Sequence, residues 1–216
     1  MSKDFGAEDT TIRGCSAASG SSWSKASALP YRTTTPSSPN RPAKRRVNRE
    51  FSSETKVGKT TVFLSHKHDE RKELDSAISF LKKIGVNVYV DWLDSAMPKT
   101  ASGETAKRIK NKIKENKKFV FLATEGAINS KWCNWELGYG DSQRYIKDIA
   151  ILPIKDDDRG FTGSEYMQIY PYIEFVGKNS VQRLIGGYFD QGYYVITPKE
   201  EGGSFYQKIA DWFSRV

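Results

Sequence analysis

The sequence predicts an α/β protein in which five parallel strands form a central sheet with helices on both faces. Two observations lead to this fold class. Short apolar, β-rich segments alternate with longer segments of helical periodicity after Lys59, and this alternation is typical of parallel sheets with right-handed crossovers. In addition, the segment Phe119–Ala123 is apolar throughout, as expected for a strand that is covered on both faces.

Residues 1–56 differ in composition from the rest of the 216-residue chain. They are rich in Ser, Thr, Pro, Ala and Arg, and such a segment cannot bury enough surface to offset the entropy lost on ordering. We therefore expect a disordered tail over residues 1–56 and one folded domain over residues 57–216. The tail holds ten basic and five acidic side chains, and so five of the eight net positive charges. Its basic cluster, residues 41–49, is a candidate contact for nucleic acid or anionic lipid, although a solvated linker is the simpler interpretation.

The first half of the folded part contains two predicted strands and two predicted helices. Thr60–Leu64 and Val86–Val90 are short, β-rich apolar runs. Between them, apolar side chains recur at helical spacing within Glu70–Ile84, and Gly85 ends that helix. A second helix follows a polar loop. Its apolar stripe consists of Ala106, Ile109 and Ile113.

The second half continues the alternation from Phe119–Ala123, the third strand. Ser130 is a suitable N-cap for a helix that begins at Lys131 and runs to about Arg144. Two further predicted strands follow, Ile149–Ile154 and Tyr172–Val176.

The C-terminal part is predicted to be a helix over Phe205–Val216. Its apolar side would hold Phe205, Ile209, Trp212 and Phe213. Residues 177–204 are rich in glycine, and Tyr193–Ile196 is a candidate edge strand.

Cysteine content and hydropathy indicate the compartment. The chain has two cysteines, Cys15 and Cys133, which cannot form a disulfide framework, and no Cys-x-x-Cys pair. No apolar run approaches the roughly 18–20 residues needed to cross a bilayer. The N-terminus also lacks the apolar block of a secretory signal. We therefore expect a cytoplasmic protein with no membrane-spanning segment.

Several motifs that would indicate other kinds of site are incomplete in this sequence. Residues 58–61 (GKTT) resemble the end of a phosphate-binding loop, which requires a glycine where Ser53 stands. His66 and His68 are the only histidines, whereas a catalytic zinc usually has three protein ligands. We therefore predict no metal site, and expect this loop to contact a phosphate or ribose. Cys133 is expected to be a small buried residue and not a nucleophile.

Ligands of open parallel sheets bind beyond the carboxyl ends of the strands, where the chain order reverses. Three segments occupy that position in this sequence. They are Ser65–Glu70 after the first strand, Asp91–Ser102 after the second, and the turn and helix after the third.

The segment Ser130–Gly138 (SKWCNWELG) is the most informative of the chain. Trp132 and Glu136 are four positions apart, so they share one face of the predicted helix. A flat indole beside a carboxylate suits a cationic heteroaromatic ring with a ribose attached, because the indole can stack and the acid can hold ribose hydroxyls or a developing positive charge. Glu136 alone also has a simpler interpretation, as a surface acid favoured by the helix dipole.

Three segments in order resemble the Toll/interleukin-1 receptor (TIR) family, in its bacterial and plant-like enzymatic branch. Val62–His66, followed by Asp69–Glu70, resembles the opening signature of an apolar strand that ends in Ser-His or Ser-Tyr. Gly85–Trp92 is similar to the family's second strand, and Ser130–Leu137 is similar to its Ser-x-Trp-Cys-x-x-Glu-Leu box. The resemblance covers residues 58–216 and implies a flavodoxin-like three-layer fold with a central parallel five-stranded sheet.

In enzymatic members the glutamate of this box is catalytic, so the resemblance assigns that role to Glu136. It places Trp132 in the same pocket as a substrate-binding residue. The other substrate-binding candidates, in the first loop and at the end of the second strand, are Ser65, His66, Asp91 and Trp92. The implied reaction cleaves the nicotinamide–ribose bond of NAD+, which is therefore a substrate, and no cofactor is implied.

The resemblance also implies partners. Water as the acceptor gives ADP-ribose, whereas the adenine or a ribose hydroxyl gives a cyclic product, and the residue pattern leaves this choice open. TIR enzymes commonly work as assemblies in which a neighbour's second loop completes the pocket, so self-association with other TIR domains is implied. Standalone bacterial members of the Thoeris type act in anti-phage signalling by making a cyclised or conjugated ADP-ribose, which implies a downstream effector.

Three alternatives remain open at the level of sequence. A non-catalytic TIR interaction module predicts that NAD+ stays unchanged on incubation with the protein. A nucleoside deoxyribosyltransferase, which shares the sheet order, predicts base exchange on deoxynucleosides. Nucleic-acid binding through residues 41–49 predicts that deletion of residues 1–56 abolishes the activity.

Overall fold

Five parallel strands form the centre of the sheet, and two antiparallel strands extend it at one edge. The computed structural model describes residues 50–55, 58–98, 100, 102–154, 164–183, 186–200 and 202–215. Within these residues the sheet has the order β2-β1-β3-β4-β5-β6-β7. The strands are β1 (Thr61–Ser65), β2 (Asn87–Tyr89), β3 (Lys118–Ala123), β4 (Ile149–Pro153), β5 (Tyr172–Val176), β6 (Gly192–Pro198) and β7 (Ser204–Lys208).

The pairs among β1 to β5 are parallel, and β5–β6 and β6–β7 are antiparallel. The α/β class and the five predicted parallel strands are confirmed. The predicted strand count is too low, because the chain after β5 folds back on the sheet and adds β6 and β7.

The helices are α1 (residues 50–55), α2 (Arg71–Ile84), α3 (Gly103–Glu115), α4 (Glu125–Ile128), α5 (Lys131–Gln143) and α6 (Ile209–Ser214). Helices α2 to α5 connect strands of the sheet, whereas α1 precedes β1 and α6 follows β7. Helix α2 ends at Gly85, whose φ of 97° is left-handed and favours glycine. Ser130 caps α5 as predicted, since its hydroxyl accepts from the Cys133 amide at 3.3 Å. No helix of the described part is long and apolar enough to cross a membrane.

The prediction of a C-terminal helix is wrong for the first third of its range. Phe205 lies on β7, where it pairs with Thr197 of β6, and α6 begins only at Ile209. The spacing of Phe205, Ile209 and Trp212 suits a helix, but the chain turns just before it at Gly202 and Gly203, both with positive φ. Such glycines favour a tight hairpin connection. The candidate edge strand at Tyr193–Ile196 is instead the interior strand β6.

Alternation along the strands divides the core into two halves. Val62 and Leu64 of β1 point to the side of α2 and α6, where they pack with Leu74 and Trp212. Phe63 points to the opposite side and packs in the half of the core that includes residues of α3 and α5. Ser65 continues this alternation, so the last residue of β1 faces α5.

The described part of the chain begins with a helix inside the predicted tail. Residues 1–49, most of the predicted tail, lie outside the described residues, as do residues 56 and 57. Residues 50–55 form α1, which lies against the edge strand β2. The Asn87 side-chain amide donates to the Phe51 carbonyl at 2.7 Å, and the Phe51 ring meets Tyr89 edge-on at 5.5 Å.

Substitutions of two glycines of α5 by alanine are expected to have opposite effects on stability. A Cβ on the exposed Gly138 would meet nothing within 4 Å, whereas one on Gly140 would lie 3.1 Å from the Phe119 ring. Gly138→Ala is expected to raise the free energy of unfolding by about 0.5–1 kcal/mol, because glycine loses more entropy in a helix. Gly140→Ala is expected to lower it, since crowding in a packed core costs about 1–3 kcal/mol. Urea unfolding of both variants measures this, and an equal gain in the two would contradict the packing of α5 on β3.

Candidate active site

The segments that follow β1, β2 and β3 meet around one pocket of about 420 Å³. These three strands are neighbours in the parallel sheet, so their carboxyl ends lie at one edge. Side chains that line the pocket include His66, His68, Asp91, Trp92, Trp132 and Cys133. The pocket therefore forms where the sequence predicts a ligand site.

Glu136 lies behind the wall of this pocket. It is in the second turn of α5 and only 3% exposed. The hydroxyl of Ser65, at the carboxyl end of β1, donates to Glu136 Oε2 at 2.6 Å. The fold brings the two together because β1 and β3 are adjacent, and α5 follows β3 on the face to which Ser65 points.

Burial changes the acidity of Glu136. Loss of solvent raises the pKa of its carboxyl to about 8, and the negative charge of Asp91 adds to the rise. Hydrogen bonding from Ser65 and Trp132 opposes it. A carboxyl with this pKa is mostly protonated near neutral pH, and a cation placed beside it would favour the ionised form. Such a shift in a cleft is typical of functional carboxyls.

Asp91 provides a second carboxylate at the end of β2. It is 5% exposed, and its oxygens lie 3.4 Å from His68 Nε2 and 3.7 Å from His66 Nε2. The Trp92 amide donates to Asp91 Oδ1 at 2.7 Å. Burial alone would raise the pKa of Asp91, but the hydrogen bond from His68, the nearby rings of His66 and His68 and the Trp92 amide together hold it below its ordinary value. Asp91 is therefore the ionised acid of the pair.

Two indoles border the pocket from different elements. Trp132 of α5 lies one turn before Glu136, and its ring is 5.1 Å from that of Trp135. Trp92 lies in the short 3-10 helix Asp91–Leu93, with the Arg71 guanidinium 5.5 Å from its ring. Two flat surfaces in the lining of one pocket suit a ligand with aromatic bases.

The structure gathers all six predicted site residues at this edge, but it divides them into two groups. Four of them line the pocket, namely His66, Asp91, Trp92 and Trp132. The other two, Ser65 and Glu136, lie behind the wall and bond to each other.

Two polar residues of the site were not predicted from the sequence as individual functional residues. His68 contacts Asp91. In the sequence, only its position two residues after His66 indicates a place in the site. Glu70 accepts hydrogen bonds from the Thr124 hydroxyl and the Gly126 amide, so it holds the start of α4 against the first loop. No local signal could reveal this contact, because its partners are more than fifty positions away along the chain.

Cys133 is buried, as expected, and its thiol donates to the His66 carbonyl at 3.3 Å. Burial raises the pKa of this thiol to about 11, which argues against a nucleophilic role. Within the described ranges, no group of three or more His, Cys, Asp or Glu side chains is placed to hold a metal ion.

Glu70→Ala tests whether the first loop supports the turn that leads into α5. Loss of its two hydrogen bonds leaves the Gly126 amide at the start of α4 without its acceptor. We expect a decrease of about 1 kcal/mol in the free energy of unfolding. Urea unfolding measures it, with Asp75→Ala, an exposed acid of α2, as the control. Equal stability of the Glu70 variant and wild type would contradict this role.

A mostly parallel sheet with an acid-bearing helix after its third strand and a pocket at the strand ends defines an α/β domain with a candidate ligand site at that edge. The chain belongs to the TIR domain family, whose sequence profile matches residues 62–185. A Bacillus cereus (strain MSX-D12) protein named "Probable 3' cyclic ADP-D-ribose synthase ThsB'" is 30% identical over 163 residues, which cover 73% of this chain and 83% of that protein.

Two other proteins are less similar to this chain. A Cytobacillus dafuensis protein named for cyclic ADP-D-ribose synthase activity is 26% identical over 102 residues, 46% of this chain and 26% of that protein. Among solved structures, the TIR domain of the Toll-related receptor TRR-2 from Hydra magnipapillata is 16% identical, with a TM-score of 0.39 over 51% of this chain and 80% of that one.

Proposed function

We propose that this chain cleaves the nicotinamide–ribose bond of NAD+ and closes the ADP-ribosyl group into a cyclic ADP-ribose. The observation that carries this proposal is the position of Glu136. Its carboxyl is buried behind an indole-bordered pocket and is hydrogen-bonded to Ser65. The second carboxylate, Asp91, lies at the same edge of the sheet.

Cleavage of the nicotinamide–ribose bond requires an arrangement of this kind. Nicotinamide leaves as a neutral molecule from a cationic ring, so the leaving group needs no proton. The barrier falls when a fixed negative charge lies close to the ribosyl carbon, which becomes oxocarbenium-like in the transition state. The cationic substrate would itself favour ionisation of Glu136, whose pKa burial has raised. Trp132, one turn away, would position an aromatic base by stacking.

The relatives support a cyclic product. The Bacillus cereus protein, which this chain matches over 83% of that protein's length, is named for synthesis of 3' cyclic ADP-D-ribose. In that product the ring closes at the 3' position of a ribose, whose carbon bears a hydroxyl. The hydroxyl oxygen therefore forms the bond that closes the ring. We propose the same class of product for this chain.

The proposal extends to the cellular setting. We place the activity in the cytoplasm, in antiviral signalling, where a downstream effector would sense the nucleotide product. We also propose that the domain works as a homo-oligomer, with the second loop of one copy completing the pocket of another.

Chromatography of NAD+ incubated with concentrated protein tests the proposal. We expect release of nicotinamide together with a cyclic ADP-ribose, at a specific rate that rises with protein concentration. Unchanged NAD+ over the full concentration range, together with binding to another TIR domain, would instead support a non-catalytic interaction module. Base exchange on deoxynucleosides would support a deoxyribosyltransferase.

A further inference from the structure

One buried nitrogen of the pocket lacks a hydrogen-bond partner among the residues that the structure describes. His66 lines the pocket directly after β1, and its side chain is 2% exposed. Its Nδ1 lies 3.1 Å from the Leu64 carbonyl oxygen. A carbonyl can only accept, so Nδ1 carries the hydrogen, and in the neutral ring Nε2 presents a lone pair.

Nothing in the described part of the protein donates to that lone pair. His66 Nε2 is buried without a hydrogen-bond partner among the described residues. Asp91 Oδ1, a carboxylate oxygen 3.7 Å away, can only accept. A buried acceptor without a donor costs free energy, and such an atom in a pocket calls for a donor on the ligand. A hydroxyl group of the substrate meets this requirement.

The surroundings keep His66 neutral before reaction, and the Asp91 carboxylate offsets part of the cost of protonating it. Burial lowers the pKa of its ring most strongly, and the charge of His68 acts in the same direction. The Asp91 carboxylate and the Leu64 carbonyl oppose the shift. From α5, the Cys133 thiol bonds to the His66 backbone. A neutral imidazole beside a carboxylate is a suitable general base, because Asp91 stabilises the imidazolium that forms.

This inference rests on the proposed cleavage of NAD+. We propose that His66 Nε2 accepts the proton of the ribose hydroxyl that closes the cyclic product. The glycosidic electron pair leaves with nicotinamide, the hydroxyl oxygen forms the new bond to the ribosyl carbon, and its proton passes to Nε2 and then to water. NAD+ thus gives cyclic ADP-ribose, neutral nicotinamide and one proton. His66 is by this account a catalytic residue of ring closure, and Glu136 of bond cleavage.

The test measures nicotinamide release and the ratio of cyclic to linear ADP-ribose in the same samples. His66→Asn keeps an amide near the Nδ1 position, so the bond to Leu64 can persist while the base is lost. We expect its ratio of cyclic to linear ADP-ribose, measured among the products of the nicotinamide it does release, to be lower by roughly tenfold or more. The control is Asp69→Asn, an exposed acid of the same loop outside the pocket lining, with an unchanged ratio.

A second measurement needs no variant. In wild type, the cyclic-to-linear ratio is expected to fall as the pH drops and His66 becomes protonated, whereas His66→Gln, which lacks a titrating ring, is expected to give a low and flat ratio. An unchanged ratio in both variants with normal nicotinamide release would overturn the role of His66 and leave the proposed function standing. Wild type that releases nicotinamide but makes only linear ADP-ribose would overturn the role of His66 and the proposed cyclic product, and would leave only the proposed cleavage of NAD+ standing. Absence of nicotinamide release from wild type would overturn both.

Discussion

Glu136→Gln is expected to slow nicotinamide release from NAD+ by roughly 100- to 1,000-fold, the range for loss of one preorganised electrostatic contact in an active site. Glutamine keeps the shape of the side chain and can still accept the hydrogen bond from Ser65. It removes only the negative charge that the transition state requires. Initial rates by chromatography, at fixed protein concentration, measure the change.

The matched control is Glu125→Gln, on the exposed side of the neighbouring helix α4. It removes the same charge from the same region of the chain and is expected to leave the rate unchanged. Similar losses in both variants would point to a general charge effect. A Glu136 variant that keeps more than half of the wild-type rate would remove the catalytic assignment.

The same substitution is expected to change how stability depends on pH. In the unfolded chain the Glu136 carboxyl loses its proton near its ordinary pKa of 4.5, whereas in the folded chain burial raises that pKa to about 8. Between these values the folded state binds one more proton than the unfolded state, so a rise in pH favours unfolding. The cost grows by up to about 1.4 kcal/mol per pH unit within this window.

Urea unfolding of wild type and Glu136→Gln at pH 5, 6, 7 and 8 measures this effect. The stability difference in favour of the variant should increase steadily with pH. Subtracting one protein from the other cancels groups with shifts of the opposite sign, such as His66 and Asp91, whose pKa values are lowered in the folded state. A difference that is constant over this range would mean that the Glu136 carboxyl titrates normally.

Local pattern was sufficient to predict the five parallel strands and the place of the pocket. Helical spacing put Trp132 and Glu136 on one face, and the capping residue Ser130 fixed the start of α5. These features depend on residues close together in the chain, which is why they can be read from sequence. The same spacing was misleading for Phe205, where a pair of glycines turns the chain into a hairpin.

The energetics of the site could not be predicted in this way. Glu136 is equally compatible in sequence with an exposed acid on a helix, and only its contact with Ser65, 71 positions earlier, shows that it is buried. The unpartnered nitrogen of His66 depends likewise on the backbone of the first loop and on Asp91 from another strand. Long-range packing sets these properties, and no short motif encodes it.

The most direct test of the central claim is a carbon NMR titration of the Glu136 carboxyl, assigned by its absence in Glu136→Gln. The free protein is expected to show a pKa of about 8, and a non-cleavable NAD+ analogue with a cationic nicotinamide ring should lower it, because the cation favours the carboxylate. A carboxyl that titrates at its ordinary value, or one that does not respond to the analogue, would contradict the placement of Glu136 beside the reacting ribose.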